Sequence, residues 1–186
     1  MAKVYEFLAN GFEDIEALAP VDILRRGGVE VVTVSIHDTT FVESAHGVTV
    51  VADTLFDDCD FSDADLLLLP GGMPGAANLR QHEGVCQALI AQTKAGRRIG
   101  AICAAPFILG ELGLLEGHRA TCYPGFEQAL LGAKYTAELV TVDGLFTTGE
   151  GPAAAFPYGY QLLSYFRDAA TVKALEAGMR YQHLMA

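Results

Sequence analysis

Short apolar runs alternate with longer amphipathic stretches along the chain. Four runs rich in Val, Ile and Leu have the length of buried strands, at residues 4–8, 29–35, 66–69 and 98–102. Residues 13–26 and 83–95 have helical spacing of apolar side chains. A strand, a helix and a second strand occupy the first 35 residues, which predicts a βαβ unit and a parallel sheet. The apolar stripe of the first helix is expected to comprise Ile15, Leu18, Ala19 and Ile23.

Turn signals divide the remainder of the chain into shorter elements. Residues 41–42 and 48–51 suggest a hairpin at a sheet edge, and Asp143-Gly144 predicts a second hairpin. Residues 53–65 are acidic and are expected to form a solvated connection. Further elements are predicted as a strand at 119–122, a helix at 127–131, a helix opened by Gly151-Pro152 and a last helix capped by Asp168. We therefore predict an α/β fold with helices on both faces of a mostly parallel sheet, in one domain spanning residues 1–186.

One cysteine lies where a strand is predicted to become a helix. The apolar run 98–102 precedes Cys103, and good helix formers follow it, with Pro106 in the first turn. Ala101 and Ala105 flank Cys103 at the spacing that a nucleophile elbow requires. N–H groups at a helix start favour a thiolate, so Cys103 is a candidate nucleophile. The alternative is a buried structural cysteine, which behaves as a small hydrophobe.

Two other stretches, residues 9–16 and 70–75, are expected at the same end of the sheet as Cys103. Ligands bind outside the carboxyl ends of parallel strands, where Glu16 of the first helix could approach the thiol. A protonated Glu16 would donate a hydrogen bond to sulfur, lowering the thiol pKa and raising its own in a coupled titration. The N–H groups of Gly71 and Gly72 could bind an oxyanion. The alternatives are an exposed first-turn carboxylate and a tight glycine turn.

The net charge limits the kinds of binding partner, and the cysteine content indicates the cellular compartment. A formal net charge of −11 without a basic patch argues against binding to nucleic acid or to an anionic membrane. The longest uncharged stretch, residues 151–166, contains two prolines and is too short to span a bilayer. The four cysteines show neither C-x-x-C spacing nor the density of a disulfide framework. We expect a reduced, cytoplasmic protein without a bound metal.

Five motifs together resemble the ThiJ/PfpI superfamily, and most closely the branch of the parkinsonism-associated protein deglycase and its bacterial relatives. They are Ala-Ile-Cys-Ala-Ala-Pro at 101–106, Leu-Pro-Gly-Gly at 69–72, Gly-Phe-Glu-Asp-Ile-Glu at 11–16, Pro-Val-Asp-Ile-Leu-Arg-Arg at 20–26 and Gly-Pro at 151–152. The resemblance implies a flavodoxin-like three-layer sandwich and a cofactor-free homodimer with its pocket near the interface. It also implies Cys103 as nucleophile or oxidation-sensitive thiol, Glu16 as its protonated partner, and the N–H groups of Gly72 and Ala104 as anion donors.

Several positions depart from the family pattern. Tyr123 stands where the deglycase branch has a histidine, and Ala104 stands where peptidase-like members have one. His46 and Glu150 replace arginines of close relatives, which removes positive charge near the pocket. Tyr123 could position a substrate through its hydroxyl or line the pocket as an aromatic, and His46 could be an exposed hairpin residue. A standard Cys–His dyad is not predicted, which disfavours proteolysis.

The resemblance implies two classes of function. The first is cofactor-free glyoxalase or deglycase chemistry, by a lyase or hydrolase acting on methylglyoxal-like oxoaldehydes or glycation adducts. The second is a non-enzymatic oxidative-stress sensor or chaperone in which Cys103 is oxidised. A role related to thiazole biosynthesis and a cysteine amidase or peptidase activity are less favoured.

Overall fold

Strands and helices alternate through residues 2–184, the part of the chain that the computed structural model describes. The strands are β1 Lys3–Leu8, β2 Glu30–Ser35, β3 Phe41–Glu43, β4 Thr49–Val51, β5 Thr54–Leu55, β6 Leu66–Leu69, β7 Arg98–Ile102, β8 Arg119–Ala120, β9 Lys134–Tyr135, β10 Val140–Asp143 and β11 Phe146–Gly149. The helices are α1 Asp14–Arg26, α2 Gly75–Gln81, α3 Glu83–Lys94, α4 Pro106–Glu111, α5 Ala155–Leu163 and α6 Ala169–Gly178. Within this range no helix is long and apolar enough to cross a membrane.

The main sheet has the strand order β10-β11-β7-β6-β1-β2-β5. Neighbouring strands are parallel except in the antiparallel β10–β11 hairpin. From β1 the chain moves outward to β2, whereas from β6 it moves the other way to β7. Right-handed crossovers therefore place α1 on one face of the sheet and α2 and α3 on the other. The predicted α/β, flavodoxin-like sandwich and its first βαβ unit are confirmed.

Both predicted hairpins are present, although one lies apart from the main sheet. Strands β10 and β11 pair around Asp143-Gly144 as predicted. Strands β3 and β4 form their own two-stranded sheet, tied to the segment before α1 by a bridge between Phe12 and Ser44. The predicted strand at 119–122 is likewise short, and its β8 pairs with β9 outside the main sheet.

Helix α1 buries only part of the face that was predicted. Ile23 is fully buried and Ala19 packs against the core, but Ile15 and Leu18 are 49% and 40% exposed. The buried side chains are Glu16, Ala17, Pro20, Val21, Ile23 and Leu24. The prediction was wrong for Ile15 and Leu18, because α1 packs against both the sheet and α5, and these two partners together select its inner face. An apolar strip of α1 therefore remains at the surface.

Three other predicted or unassigned segments differ from expectation. Residues 53–65 are not simply solvated, because they contain β5, and because Phe56 and Phe61 pack on the core. The helix expected at 127–131 is a 3-10 turn, Glu127–Ala129. Helix α2, which was not predicted, directly follows the glycine loop after β6.

A row of polar groups lies buried beneath α5. The backbone register aligns Gly100 of β7 with Leu68 of β6 and with Glu6 of β1. Gly100 leaves room for the Tyr158 hydroxyl, which a Cβ at that position would meet. Glu6 and Tyr158 are each 1% exposed, and within residues 2–184 neither Glu6 Oε2 nor the Tyr158 hydroxyl has a hydrogen-bond partner. Burial raises the pKa of Glu6 well above its usual range.

Candidate functional site

Cys103 lies in a strained turn between β7 and α4. Its φ of 63° is in the left-handed region, which is costly for a residue with a side chain. The turn is fixed on both sides, because the Cys103 N–H donates to the Gly149 carbonyl (2.9 Å) and its carbonyl accepts from the Tyr123 N–H (2.8 Å). Ala101 and Ala105 are fully buried. This is the geometry predicted for a nucleophile elbow.

Glu16 reaches the same turn from α1. Glu13 caps the helix through its side chain, which accepts a hydrogen bond from the Glu16 N–H (2.8 Å). The Glu16 side chain then points inward, is 1% exposed and accepts from the Gly71 N–H (3.1 Å). A Cβ at Gly71 would meet both Glu16 and the Cys103 Cβ. The close approach of thiol and carboxyl therefore depends on glycine at position 71.

The thiol and the carboxyl titrate as a coupled pair. Burial raises the pKa of Glu16 to about 7, while the neighbouring Cys103 thiol and the Gly71 N–H act against this shift. Burial and the negative charge of the adjacent Glu16 raise the pKa of Cys103 to about 12. The pKa of the carboxyl shifts in the expected direction, but the pKa of the thiol shifts in the opposite direction, because burial and the charge of Glu16 outweigh the N–H groups of Gly72 and Ala104. Above about pH 7 the pair holds one proton and one negative charge.

The backbone N–H groups of the glycine loop and of the elbow interact with different partners. The Gly71 N–H, expected to be free for an oxyanion, is instead occupied by Glu16. The N–H groups of Gly72 and Ala104 face the sulfur and act to lower the Cys103 pKa. Gly72 and Ala104 are therefore the two backbone N–H groups that favour the thiolate.

A cavity of about 270 Å³ opens beside the elbow. It is lined by Tyr123, Pro124, Leu139, Glu150, Gly151, Pro152, Ala153 and Ala154. Tyr123 is 46% exposed and packs over Gly151, whose Cβ position lies 3.1 Å from the tyrosine ring. Tyr123 and Glu150, both predicted as pocket residues, thus line the same cavity. Cys103 is not one of its lining residues, but its backbone is hydrogen-bonded to Tyr123 and to Gly149, the residue before Glu150.

His46 lies elsewhere. Its ring Nδ1 pairs with Asp14 Oδ2 (2.6 Å) at the exposed β3–β4 turn, and it does not line the cavity beside Tyr123. The other four histidines have partners away from Cys103: His37 with Asn10, His82 with Val85, His118 with Asp143 and His183 with Arg180. None of the groups that shift the Cys103 pKa is a histidine. The structure therefore assembles a Cys–Glu pair.

Sequence reasoning missed part of the cavity wall. Leu139 lines it but was not singled out as a site residue, and Pro152 was noted only in the Gly-Pro motif and as a helix start. Strand β11 runs parallel to β7, so the rule that ligands bind at the carboxyl edge would have found residues 150–154. A larger cavity of about 420 Å³ lies between Phe56, Phe61 and α3, and it contains none of the predicted site residues.

The chain is similar to known proteins along most of its length. The sequence profile of the DJ-1/PfpI family matches residues 2–165. Protein DJ-1 homolog B of Arabidopsis thaliana is 39% identical over 87% of the chain. The match covers 37% of that plant protein and 41% of its homolog A, so the chain spans about two fifths of their lengths.

Two further relatives carry names that state an activity. A glutathione-independent glyoxalase of Caenorhabditis elegans is 31% identical over 81% of this chain and 81% of its own. A deglycase of Pyrococcus horikoshii is 31% identical over 84% of this chain and 94% of its own.

Solved structures match the fold closely. A DJ-1 superfamily protein of Salmonella typhimurium superposes with a TM-score of 0.92 at 32% identity, covering 97% of this chain and 98% of its own. Oxidized Toxoplasma gondii DJ-1 gives a TM-score of 0.92 at 33% identity, covering 96% and 98%.

Proposed function

The chain belongs to the DJ-1/PfpI family, and from this premise we propose that it converts small reactive oxoaldehydes, free or as glycation adducts, to hydroxyacids. The observation that carries the proposal is the Cys103–Glu16 pair at the strained elbow. The names of the glyoxalase and deglycase relatives support the same substrate class. Because the thiol must stay reduced, we propose a cytoplasmic location.

The reaction begins with transfer of the shared proton from Cys103 to Glu16. The resulting thiolate, stabilised by the N–H groups of Gly72 and Ala104, attacks the aldehyde carbon. A C–S bond forms, and Glu16 gives its proton to the carbonyl oxygen, which produces a hemithioacetal.

Proton shuttling completes the conversion. Ionised Glu16 removes the hydrogen on the aldehyde carbon, and a proton returns to the neighbouring carbon, which isomerises the hemithioacetal to a thioester. One water hydrolyses the thioester, releasing the hydroxyacid and restoring the thiol. Since one carbon is oxidised as its neighbour is reduced, the balance requires no external oxidant and no cofactor.

The test measures lactate formed from methylglyoxal by the wild-type chain, Cys103→Ser and Glu16→Gln. We expect Cys103→Ser to abolish turnover, and Glu16→Gln to lower kcat by about 10²- to 10⁴-fold, as for loss of a general acid–base group. Cys86→Ser, which changes a buried cysteine bonded to the Arg80 carbonyl, is the matched control and should retain activity. Turnover that survives in Cys103→Ser would refute the mechanism.

A second candidate function uses the same thiol as an oxidant sensor. One peroxide oxidises the thiolate to sulfenate with release of water, and a second gives sulfinate. The N–H groups of Gly72 and Ala104 could hold the added oxygens, and a structural neighbour is described as oxidized. Peptide mass analysis after peroxide treatment should show two oxygens on Cys103 alone, whereas equal oxidation of Cys59 would count against this function.

We also propose a homodimer formed through the apolar strip of α1 and the adjacent β3–β4 hairpin. Ile15 and Leu18 are exposed on α1, and the cross-strand neighbours Phe41 and Val51 are 61% and 64% exposed. Patches of this kind mark association surfaces. Light scattering at micromolar concentration should give the mass of a dimer, and Phe41→Asp should shift the mass towards that of a monomer. A monomer mass for the wild-type chain would contradict the proposal.

A further inference from the structure

The cavity beside Cys103 carries a carboxylate that nothing in the fold uses. Within residues 2–184 the Glu150 side chain has no hydrogen bond and no ion pair, although its N–H donates to the Leu139 carbonyl (3.0 Å). The other acidic groups nearby are engaged: Glu127 accepts from the Gly125 N–H (2.9 Å), and Glu138 pairs with Arg119 (2.7 Å). Glu150 is therefore a carboxylate held at a cavity wall and free to bind a ligand.

The remaining wall is apolar or aromatic. Leu139, Pro124 and Pro152 supply aliphatic surface, and Tyr123 supplies the face and edge of a ring. Among the residues that the structure describes, no Lys, Arg or His side chain lines this cavity. A ring next to a carboxylate is a favourable environment for an organic cation, which gains from the π-face and from the negative charge together. An anionic ligand would meet repulsion without compensation.

The electrostatic effect of Glu150 extends around the elbow. Burial, together with the charges of Glu127 and Glu150, raises the pKa of Cys122 to about 12. The same two carboxylates help to raise the pKa of Tyr135. Of the residues that line the cavity, Glu150 and Tyr123 carry titratable groups, and the Glu150 carboxylate makes the local potential negative.

The position of the cavity relative to Cys103 sets the arrangement of a ligand. The Cys103 N–H is bonded to the carbonyl of Gly149, directly before Glu150, and its carbonyl is bonded to Tyr123. The cavity wall formed by Tyr123 and Glu150 therefore adjoins the Cys103 turn through both backbone hydrogen bonds of that residue. We propose that the site selects reactive carbonyl compounds bearing a cationic group, such as an ammonium, with Glu150 as the specificity-determining residue. This inference deepens the proposed function by naming its substrate class.

The first test measures the effect of the electrostatic potential at Cys103 on thiol modification, and it does not require turnover. Rates of thiol modification are measured with three methanethiosulfonates: cationic trimethylammonioethyl, anionic sulfonatoethyl and neutral methyl, each normalised to a free thiol. Peptide mass analysis restricts the readout to Cys103. We expect the normalised cation-to-anion rate ratio to be about tenfold, because attraction and repulsion each contribute a few-fold at a half-buried carboxylate. The ratio should fall as salt increases.

The second test measures kcat/KM for phenylglyoxals carrying a para trimethylammonium, tert-butyl or carboxylate group, of which the first two have the same size and shape. We expect the order cation, neutral, anion in the wild-type chain, and collapse of this order in Glu150→Gln. Glu30→Gln, which removes the same charge from an exposed position at the amino end of β2, should keep the order.

The two tests separate the possible failures. Turnover without charge ranking, or a ranking that persists in Glu150→Gln, would overturn the inference and leave the proposed function standing. Absence of turnover for all three aldehydes would remove the proposed function, and the methanethiosulfonate ratio, compared between the wild-type chain and Glu150→Gln, would still decide whether Glu150 selects cations at the thiol. A ratio near one in the wild-type chain would refute that selection.

Discussion

Replacing Glu16 by glutamine should stabilise the fold while disabling the chemistry. Glutamine keeps the size of the side chain and an oxygen that can accept from the Gly71 N–H, but it cannot ionise. In the folded protein, burial raises the pKa of Glu16 from its ordinary 4.5 to about 7. The neutral form is therefore favoured in the fold, and folding free energy is lost between pH 4.5 and about 7, where the unfolded chain ionises and the folded chain does not.

The sign and the size of the difference in unfolding free energy between Glu16→Gln and the wild-type chain follow from the linkage between protonation and folding. Below pH 4.5 the carboxyl is protonated in both the folded and unfolded states, so the variant and the wild-type chain should be equally stable. Between pH 4.5 and about 7 the wild-type chain loses about 1.4 kcal/mol per pH unit relative to the variant. Above pH 7 the difference should level off at about 3 kcal/mol, with Glu16→Gln the more stable.

Urea unfolding at pH 4.5, 6, 7 and 8 measures this difference directly. Other titrating groups affect both proteins equally and cancel in the comparison, and Glu30→Gln controls for the change in net charge. A free-energy difference that is the same at pH 4.5 and pH 8 would show that the fold does not oppose ionisation of Glu16. A variant less stable at pH 8 than the wild-type chain would refute the reasoning altogether.

Three further predictions concern buried groups. The rate of Cys103 alkylation by iodoacetamide should rise through about pH 7, as the Cys103–Glu16 pair loses its first proton. This rise should be absent in Glu16→Gln, and an alkylation rate with the same pH dependence in both proteins would contradict the coupling. Glu6→Gln should gain stability over the wild-type chain by up to about 1.4 kcal/mol per pH unit above pH 4.5, measured by the same unfolding series, and a pH-independent difference would count against a buried neutral Glu6. Gly100→Ala should destabilise the fold by about 1–3 kcal/mol through its clash with the Tyr158 hydroxyl, and Tyr158→Phe in the same chain should recover part of the loss; additive effects would exclude that contact.

The sheet was predictable from sequence because its central strands are buried on both faces. Residues 66–69 form an uninterrupted apolar run, and the structure buries all four side chains. The face of α1 was not predictable in the same way, since Ile15 and Leu18 are as apolar as the side chains that face the core. Only the joint packing of the helix on sheet and α5 distinguishes the two sets.

The identities of the site residues were easier to predict than their ionisation. Small residues around Cys103 signal the elbow, and the carboxyl-edge rule brings Glu16 to it. The direction of the thiol pKa depends on how completely neighbouring elements exclude water, which is a property of the assembled fold. Glu6 illustrates the same point, because one acidic residue in an apolar run gives no sign that its carboxyl is sealed beneath α5.

The left-handed backbone at Cys103 has an evolutionary consequence. Glycine would adopt the φ of 63° without the penalty of about 1–2 kcal/mol that a side chain brings. A library randomised at this position and screened for thermal resistance alone should therefore drift to glycine. A library screened for thiol chemistry should retain cysteine despite the less stable fold. Selection for stability and selection for activity therefore favour different residues at position 103.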